Sequence, residues 1–259
     1  MVEHIKRTVA RTSEVTGRLS RLLPNVGGPR SSKRRVMCGA VTSILMYGAP
    51  IWSRAMKYKK YVDMIARVQR RLALRICSAY RTVSLEAVQV LAGVVPLELL
   101  AEERTKINDE TGIDKAELRA RSVRKWQRRW STLQGKAQWT HRLIPNIEDW
   151  VSRRHGEMSY WLTQFLTGHG CFKAYLHRFG RAENSECTNC AAPRDTAEHT
   201  VFECPRWETG RQKLQTELGL RVGPDNITQV MLMDPRKWET INSYIAHIIR
   251  GKESDEQGR

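Results

Sequence analysis

Three cysteines and one histidine are the residues of this 259-residue chain best placed for chemistry: Cys187-Thr-Asn-Cys190, then His199, then Cys204, a Cys-x2-Cys-x8-His-x4-Cys array. A two-residue gap lets both thiolates of a tight turn face one ion, and three sulfurs with one imidazole suit tetrahedral zinc. Thr196-Ala-Glu-His199 reads as the start of a short helix that presents His199 and then Cys204 near its end, where Pro205 blocks continuation. Four protein ligands close the coordination sphere, so the ion would hold the local fold and leave no open position for an activated water. Zinc hydrolysis is disfavoured on that ground. The competing reading is three buried thiols and a core histidine that coincide in sequence. Nearby His169, Cys171 and His177 are explained equally well by packing, and Cys38 and Cys77, in apolar helical contexts, read as core thiols.

The second chemical signal is charge. Lysine plus arginine is 44 against 27 acidic residues, a net +17, which calls for a polyanionic partner, nucleic acid by default. Residues 1–105 hold 19 of the basic and 7 of the acidic side chains, so the first part of the chain is the expected backbone-binding surface. Within it, Lys60, Arg67, Arg71 and Arg75 fall within about 80° of one another on a helical wheel, opposite Tyr58, Val62, Ile65, Leu72 and Ile76. This stripe, with Arg70 and with Lys33, Arg34 and Arg35, is the candidate phosphate-neutralising set, and each contact would release a condensed counterion. The plain alternative is a solvated helix face. Trp126 and Trp130, inside Arg124-Lys-Trp-Gln-Arg-Arg-Trp130, invite a base-stacking reading, but their i, i+4 spacing is that of a buried helix face.

Catalytic patterns are missing from the sequence. No Asp-Asp pair stands ready for two magnesium ions, and Glu102-Glu103 and Glu148-Asp149 lie in charged helical contexts. There is no Gly-x-x-x-x-Gly-Lys loop, Gly-x-Ser-x-Gly elbow or His-Glu-x-x-His helix. No run approaches the length of a membrane span, and the first 25 residues are basic without a signal-peptide core, so an intracellular location with no membrane partner is expected. Six cysteines are too few for a disulfide framework in a chain of this size.

The elements that must position these residues are helical, since the dominant apolar period is 3.6 and no series of alternating strands occurs. The expected fold class is mostly α: a helical region followed by a small helical domain with the metal motif. Val2, Ile5, Val9, Leu19 and Leu23 suit a first helix ending at Pro24-Asn-Val-Gly-Gly-Pro29, and Ser31 or Ser32 would cap a second, closed by Gly48 and Pro50. The basic helix follows. Ser84 opens a short helix that Gly93 interrupts, and Pro96 starts a charged one that Gly112 breaks. Composition shifts between 106 and 135, so 1–105, a charged helical connector at 106–135, and 136–259 are the expected regions. Helices are placed at about 206–218 and 236–250, with Gly251–Arg259 a loose tail.

With these residues in view, the chain resembles a known family. Leu22-Leu-Pro-Asn-Val-Gly-Gly28, Tyr47-Gly-Ala-Pro-Ile-Trp52, Gln69-Arg-Arg-Leu-Ala-Leu-Arg75 and Val90-Leu-Ala-Gly-Val-Val-Pro96 are similar to the region after the palm in reverse transcriptases of insect non-LTR retrotransposons. Leu162-Thr-Gln-Phe-Leu-Thr-Gly-His-Gly-Cys-Phe172, Tyr175-Leu-His-Arg-Phe179 and Cys204-Pro-Arg-Trp207 resemble the carboxyl-terminal domain of their ribosomal-DNA-inserting R-one group and its telomere-repeat relatives. The resemblance implies the carboxyl-terminal part of a Pol polyprotein, an RNA-directed DNA polymerase (reverse transcriptase, a nucleotidyltransferase) with endonuclease. Residues 1–105 would then be the thumb that grips RNA, DNA or an RNA/DNA hybrid, and Cys187, Cys190, His199 and Cys204 the family's zinc motif. Magnesium would belong only to the absent polymerase domain, and the remaining polymerase and endonuclease domains would be partners. Eight residues separate Cys190 from His199, longer than the four of retroviral knuckles. Two other readings stay open: a host-captured, non-catalytic zinc-containing adaptor for nucleic acid, and a structural zinc domain serving an acidic protein.

Overall fold

The computed structural model describes residues 2–110, 112 and 114–257. The chain runs through α1 (Val2–Arg21), α2 (Ser31–Leu45), α3 (Ala49–Trp52, continued by a 3-10 turn Ser53–Lys57), α4 (Lys59–Cys77), α5 (Leu85–Ala92), α6 (Leu97–Asp109) and α7 (Lys115–Ser131). It continues through α8 (Gln138–Leu143), α9 (Ile147–Ser152), α10 (Tyr160–Thr167), α11 (Lys173–Arg178), α12 (Glu208–Leu218), α13 (Ile227–Met233) and α14 (Pro235–Gln257). No strand occurs among the described residues, and the fold is mostly α, as expected.

Local chemistry accounts for most of the boundaries. Ser84 accepts a hydrogen bond from the Ala87 N–H (3.2 Å), and α5 stops at Gly93 in the left-handed conformation (φ 59°), which glycine adopts without a Cβ clash. Asp114, Asn146 and Ser159 cap α7, α9 and α10 in the same way. At α2 the outcome differs. Arg30 occupies the capping position without a side-chain bond, and neither Ser31 nor Ser32 caps. Glu157 does it from a distant segment: its carboxylate accepts from the Ser31 hydroxyl (2.5 Å) and the Ser32 N–H (2.9 Å). A carboxylate at a helix N-terminus also meets the positive end of the dipole, so it displaces the weaker local hydroxyl cap.

Packing is continuous. α1, α2 and α4 lie on one another, α4 covers α5, and α14 backs on α10, α12 and α13. One cluster of buried apolar side chains extends from Ile5 on α1 to Ile249 on α14, passing through the 106–135 stretch by way of Val123, Trp126 and Trp130. Trp150 on α9 donates to the Leu91 carbonyl and Thr163 on α10 donates to the Cys77 carbonyl (2.6 Å), tying later helices to earlier ones. Each fully buried large apolar side chain contributes about 1.5–3 kcal/mol, so this shared core is the main stabilising force.

The carboxyl-terminal stretch corrects an expectation. Residues 251–257 are not a loose tail, since α14 continues to Gln257; the last two residues of the expected tail lie outside the described set. Gly251 stands where a Cβ would come within 2.7 Å of the Trp207 ring, so its role is close approach and not chain termination. The residues after it are committed too. Lys252 reaches Asp195, and Glu253 accepts from Gln164 (2.7 Å) and from the Trp161 indole (3.3 Å). No single helix among the described residues is long and apolar enough to cross a membrane; α2 with the α3 segment passes only as a pair bent by 55°.

Candidate metal centre and basic face

The cysteine array folds as a hairpin-like loop followed by a wide turn. The Cys187 N–H donates to the Ala192 carbonyl (2.9 Å) and the Asp195 N–H to the Ser185 carbonyl (2.7 Å), which curls Cys187 and Cys190 to one side. Thr196 then caps the next turn through its hydroxyl, accepting from the His199 N–H (3.1 Å), where the sequence places the start of a short helix. His199–Glu203 is a π-type turn, closed by the Cys204 N–H on the His199 carbonyl (2.8 Å), and Pro205 ends it. One extra residue in that turn lets a histidine and a cysteine five positions apart face the same point.

Ligand atoms of Cys187, Cys190, His199 and Cys204 all lie within 4.8 Å of one another. Cys187 Sγ is 3.9 Å from Cys204 Sγ, and Cys190 Sγ is 3.3 Å from His199 Nε2. Ligands placed about 2.0–2.3 Å from one tetrahedral ion stand roughly 3.4–3.8 Å apart, so the donor set and spacing fit a closed four-ligand metal site. The group can hold a metal ion. His199 turns its other nitrogen, Nδ1, toward the Glu203 carboxylate (3.4 Å), the partner that fixes ring orientation in metal-bound histidines. Cys187, His199 and Cys204 are buried, and Trp207 and Ile248 pack beside the sulfurs. Burial pushes the Cys204 thiol up to about 11, a cost that a bound cation would reverse by favouring the thiolate.

Sequence reasoning missed the side chain that anchors this loop. Asp195, fully buried between Cys190 and His199, accepts from the Lys173 N–H (2.9 Å), the Thr200 hydroxyl (2.7 Å) and Lys252 Nζ (2.6 Å). One carboxylate thus joins the metal loop to α11, to the π-type turn and to α14. No local pattern announces a pair 57 residues apart. His169, Cys171 and His177 lie outside the four-ligand cluster, and Cys38 and Cys77 are buried thiols pushed up to about 11 and about 12 by burial.

His169 has a different fate. Its Nδ1 meets the Thr82 hydroxyl (2.9 Å), and burial, helped by the Arg178 charge, holds the imidazole down to about 4 from its ordinary 6.5. Because the unfolded chain takes up that proton first, stability is lost as pH falls from about 6.5 toward 4, by about 2 kcal/mol at pH 5. Comparing melting temperatures at pH 7 and pH 5 for the wild type and His169→Gln checks this. The variant is expected to lose less on acidification, and an equal loss in both would remove His169 as the cause.

The basic set divides. Lys60, Arg67 and Arg71 are exposed along α4, Arg75 is half-buried beyond them, and Lys33 and Arg35 are exposed on α2. Arg71 touches the Ser13 hydroxyl (2.6 Å) of α1, and Arg35 reaches the Gly93 carbonyl (3.3 Å). Arg34 departs from the expectation: it is 2% exposed and donates to the carbonyls of Pro29 (2.6 Å), Leu23 (3.3 Å), Pro24 and Arg75 (3.1 Å). It is a staple that collects loop and helix-end carbonyls around a buried guanidinium and has no access to a phosphate. Arg70 is partly spent likewise, on the carbonyls of Val83 and Arg81. Trp126 and Trp130 are buried, with the Trp130 indole on the Ile144 carbonyl (2.7 Å), so the packing reading of that pair holds and base stacking there does not.

The chain is thus a helical protein with a Cys3His group that could hold a metal ion and a net positive charge of +17. Comparison with known sequences places it further. The chain is 26% identical over 242 residues to the "Retrovirus-related Pol polyprotein from type-1 retrotransposable element R1 2" of Nasonia vitripennis, covering 85% of this chain and 58% of that relative. It is 28% identical over 236 residues to the corresponding R1 polyprotein of Bradysia coprophila (82% and 23%), and 28% identical over 271 residues to the "Putative 115 kDa protein in type-1 retrotransposable element R1DM" of Drosophila melanogaster (95% and 26%). Over most of its length the chain is therefore homologous to R1 type-1 retrotransposable-element Pol polyproteins of insects, which bears out the resemblance. It spans about a quarter of the length of two of these relatives and little over half of the other. No family model and no solved structure matches it.

Proposed function

We propose that this chain is the carboxyl-terminal part of a retrotransposon Pol polyprotein, following the palm, which binds and positions nucleic acid during target-primed reverse transcription and does not itself catalyse. Residues 1–105 act as the thumb-like grip and 136–259 as the metal-pinned domain, with 106–135 connecting them. The polymerase and endonuclease domains, and the magnesium they use, lie elsewhere in the polyprotein, which works in the nucleus. The ion at Cys187, Cys190, His199 and Cys204 is structural zinc, since three thiolates and one imidazole at tetrahedral spacing suit it best.

One observation carries the reading. On α7 five of the seven basic side chains are ion-paired: Arg119 with Glu103, Arg121 and Arg124 with Glu117, Lys125 with Glu102, Arg129 with Glu98. On α4 the ion pair is Lys59 with Asp63, while Lys60, Arg67, Arg71 and Arg75 have no carboxylate within ion-pairing distance among the described residues. A row of cations left without counter-charges on one helix suits phosphates. Duplex gripping by such a row reads shape and backbone, so weak sequence preference is expected.

Titrating a labelled RNA/DNA hybrid at several salt concentrations tests this. Alanine at Arg67, Arg71 and Arg75 together should lower the slope of log affinity against log salt by up to about three units. An unchanged slope returns the stripe to a solvated face, and salt-insensitive or absent binding leaves an acidic protein as the partner.

A further inference from the structure

Away from the α4 stripe, a cleft of about 450 Å³ opens beside the metal loop. Trp139 of α8 lines it with His169, Tyr175, Arg178 and Arg194. The volume lies within the roughly 300–1,000 Å³ of small-ligand sites. Its aromatic wall is layered: the His169 ring centroid is 4.7 Å from Tyr175, and Tyr175 is 4.9 Å from Phe179, which is 47% exposed. The Thr82 hydroxyl pins that wall through His169 Nδ1 (2.9 Å) and the Tyr175 hydroxyl (2.8 Å), and the Trp139 indole is fixed on the Phe165 carbonyl (2.7 Å). The rings are held before any ligand arrives, which lowers the ordering cost of binding.

The charges around the wall are cationic and free. Arg178 lies over Tyr175 and Phe179 (5.7 and 5.1 Å), Arg194 is exposed, and neither has a carboxylate within ion-pairing distance among the described residues. Glu198, the acidic group in the lining, is already paired with Arg142 (2.7 Å). Fixed rings interleaved with unneutralised guanidiniums make a surface for a flat, electron-rich ring attached to a phosphate. His169, neutral at pH 7, adds a planar face without charge. Arg194, Thr196 and Glu198 belong to the eight-residue interval between Cys190 and His199, so the long interval supplies one side of the cleft.

We infer that this cleft takes an unpaired base of single-stranded nucleic acid, stacked against the Trp139, His169 and Tyr175 walls with its phosphate on Arg178 or Arg194. The inference deepens the nucleic-acid reading and rests on it. A paired base cannot enter, since its faces are covered by its neighbours in the duplex.

The test uses the intact chain with its metal and three labelled probes: a 20-nucleotide thymidine strand, a 20-unit strand of abasic sites with the same phosphates, and a blunt DNA duplex. The thymidine strand is expected to bind at least about tenfold more tightly than the abasic strand. Arg178→Ala with Tyr175→Leu should bring the two strands together while leaving duplex affinity within about twofold. Arg178→Ala alone, at an exposed side chain, should weaken the thymidine strand without changing the melting temperature. Equal affinity of the wild type for the thymidine and abasic strands overturns the cleft and leaves the phosphate grip intact. Failure to bind any of the three overturns both, and capture of a polyglutamate peptide in place of the thymidine strand, lost in the same variants, overturns the cleft in favour of an acidic protein.

Discussion

Cys190→Ser, or removal of the ion by a strong chelator, is expected to release residues 185–207 while leaving α1 to α5 folded. Two sulfurs 3.9 Å apart and a thiol 3.3 Å from an imidazole have little reason to converge in a small, largely polar loop unless an ion draws them together. The sulfurs themselves have few apolar contacts: Cys187 and Cys204 share a minor cluster with Trp207 and Ile248, while Ala197 and Val201 tie the middle of the segment to the main core. Structural zinc contributes roughly 10–16 kcal/mol in isolated peptides, and a site braced by a folded body should lose on the order of 5 kcal/mol or more locally. Hydrogen exchange reads this directly. Protection should vanish across 185–207 and weaken at the end of α14, through Trp207 and Lys252, with α4 and α5 unchanged. Purified protein should carry near-stoichiometric zinc. Protein without zinc whose melting curve ignores chelation would make the cluster a chance gathering of buried thiols.

What the sequence disclosed and what it hid divide along contact order. The α4 face, the Ser84 cap and the Gly93 stop are set by residues within a few turns of one another, and the ligand array lies within a single eighteen-residue segment, where spacing carries the geometry. The core role of Trp126 and Trp130 was legible for the same reason. Arg34 was not. Between Lys33 and Arg35 it reads as one more surface cation, and only the tertiary convergence of the Leu23, Pro24, Pro29 and Arg75 carbonyls turns it inward. Glu157 capping α2 from across the fold is hidden likewise, as is Gly251, whose composition-based reading as a tail residue gave way to contact with Trp207. In each case a polar or small residue serves a distant partner, and periodicity has no term for that.

The Asp195–Lys252 pair is the sharpest instance and carries the other large effect. Both side chains are withdrawn from water, 0% and 4% exposed, so each charge depends on the other for compensation. Lys252→Met leaves a buried carboxylate facing only the Lys173 N–H and the Thr200 hydroxyl, and should cost about 3–5 kcal/mol. Asp195→Leu should cost at least as much, because it strands three donors at once. Asp195→Asn in the Lys252→Met background is expected to recover part of the loss, since the unpaired buried charge is gone while the amide oxygen still accepts from the Lys173 N–H and the amide NH2 can donate to the Thr200 hydroxyl oxygen. Denaturant unfolding of the wild type, Lys252→Met, Asp195→Asn and their double variant gives the coupling as a double-mutant cycle. Deleting residues 251 onward should be as damaging as Lys252→Met, whereas a true loose tail could be removed without effect. The metal loop adds an independent readout: with Asp195 no longer anchored to α14, zinc affinity measured by chelator competition, under conditions where the body stays folded, should fall roughly 10–100-fold. If Lys252→Met instead unfolds within about 0.5 kcal/mol of the wild type, the pair behaves as an exposed one and α14 is held by its apolar face alone.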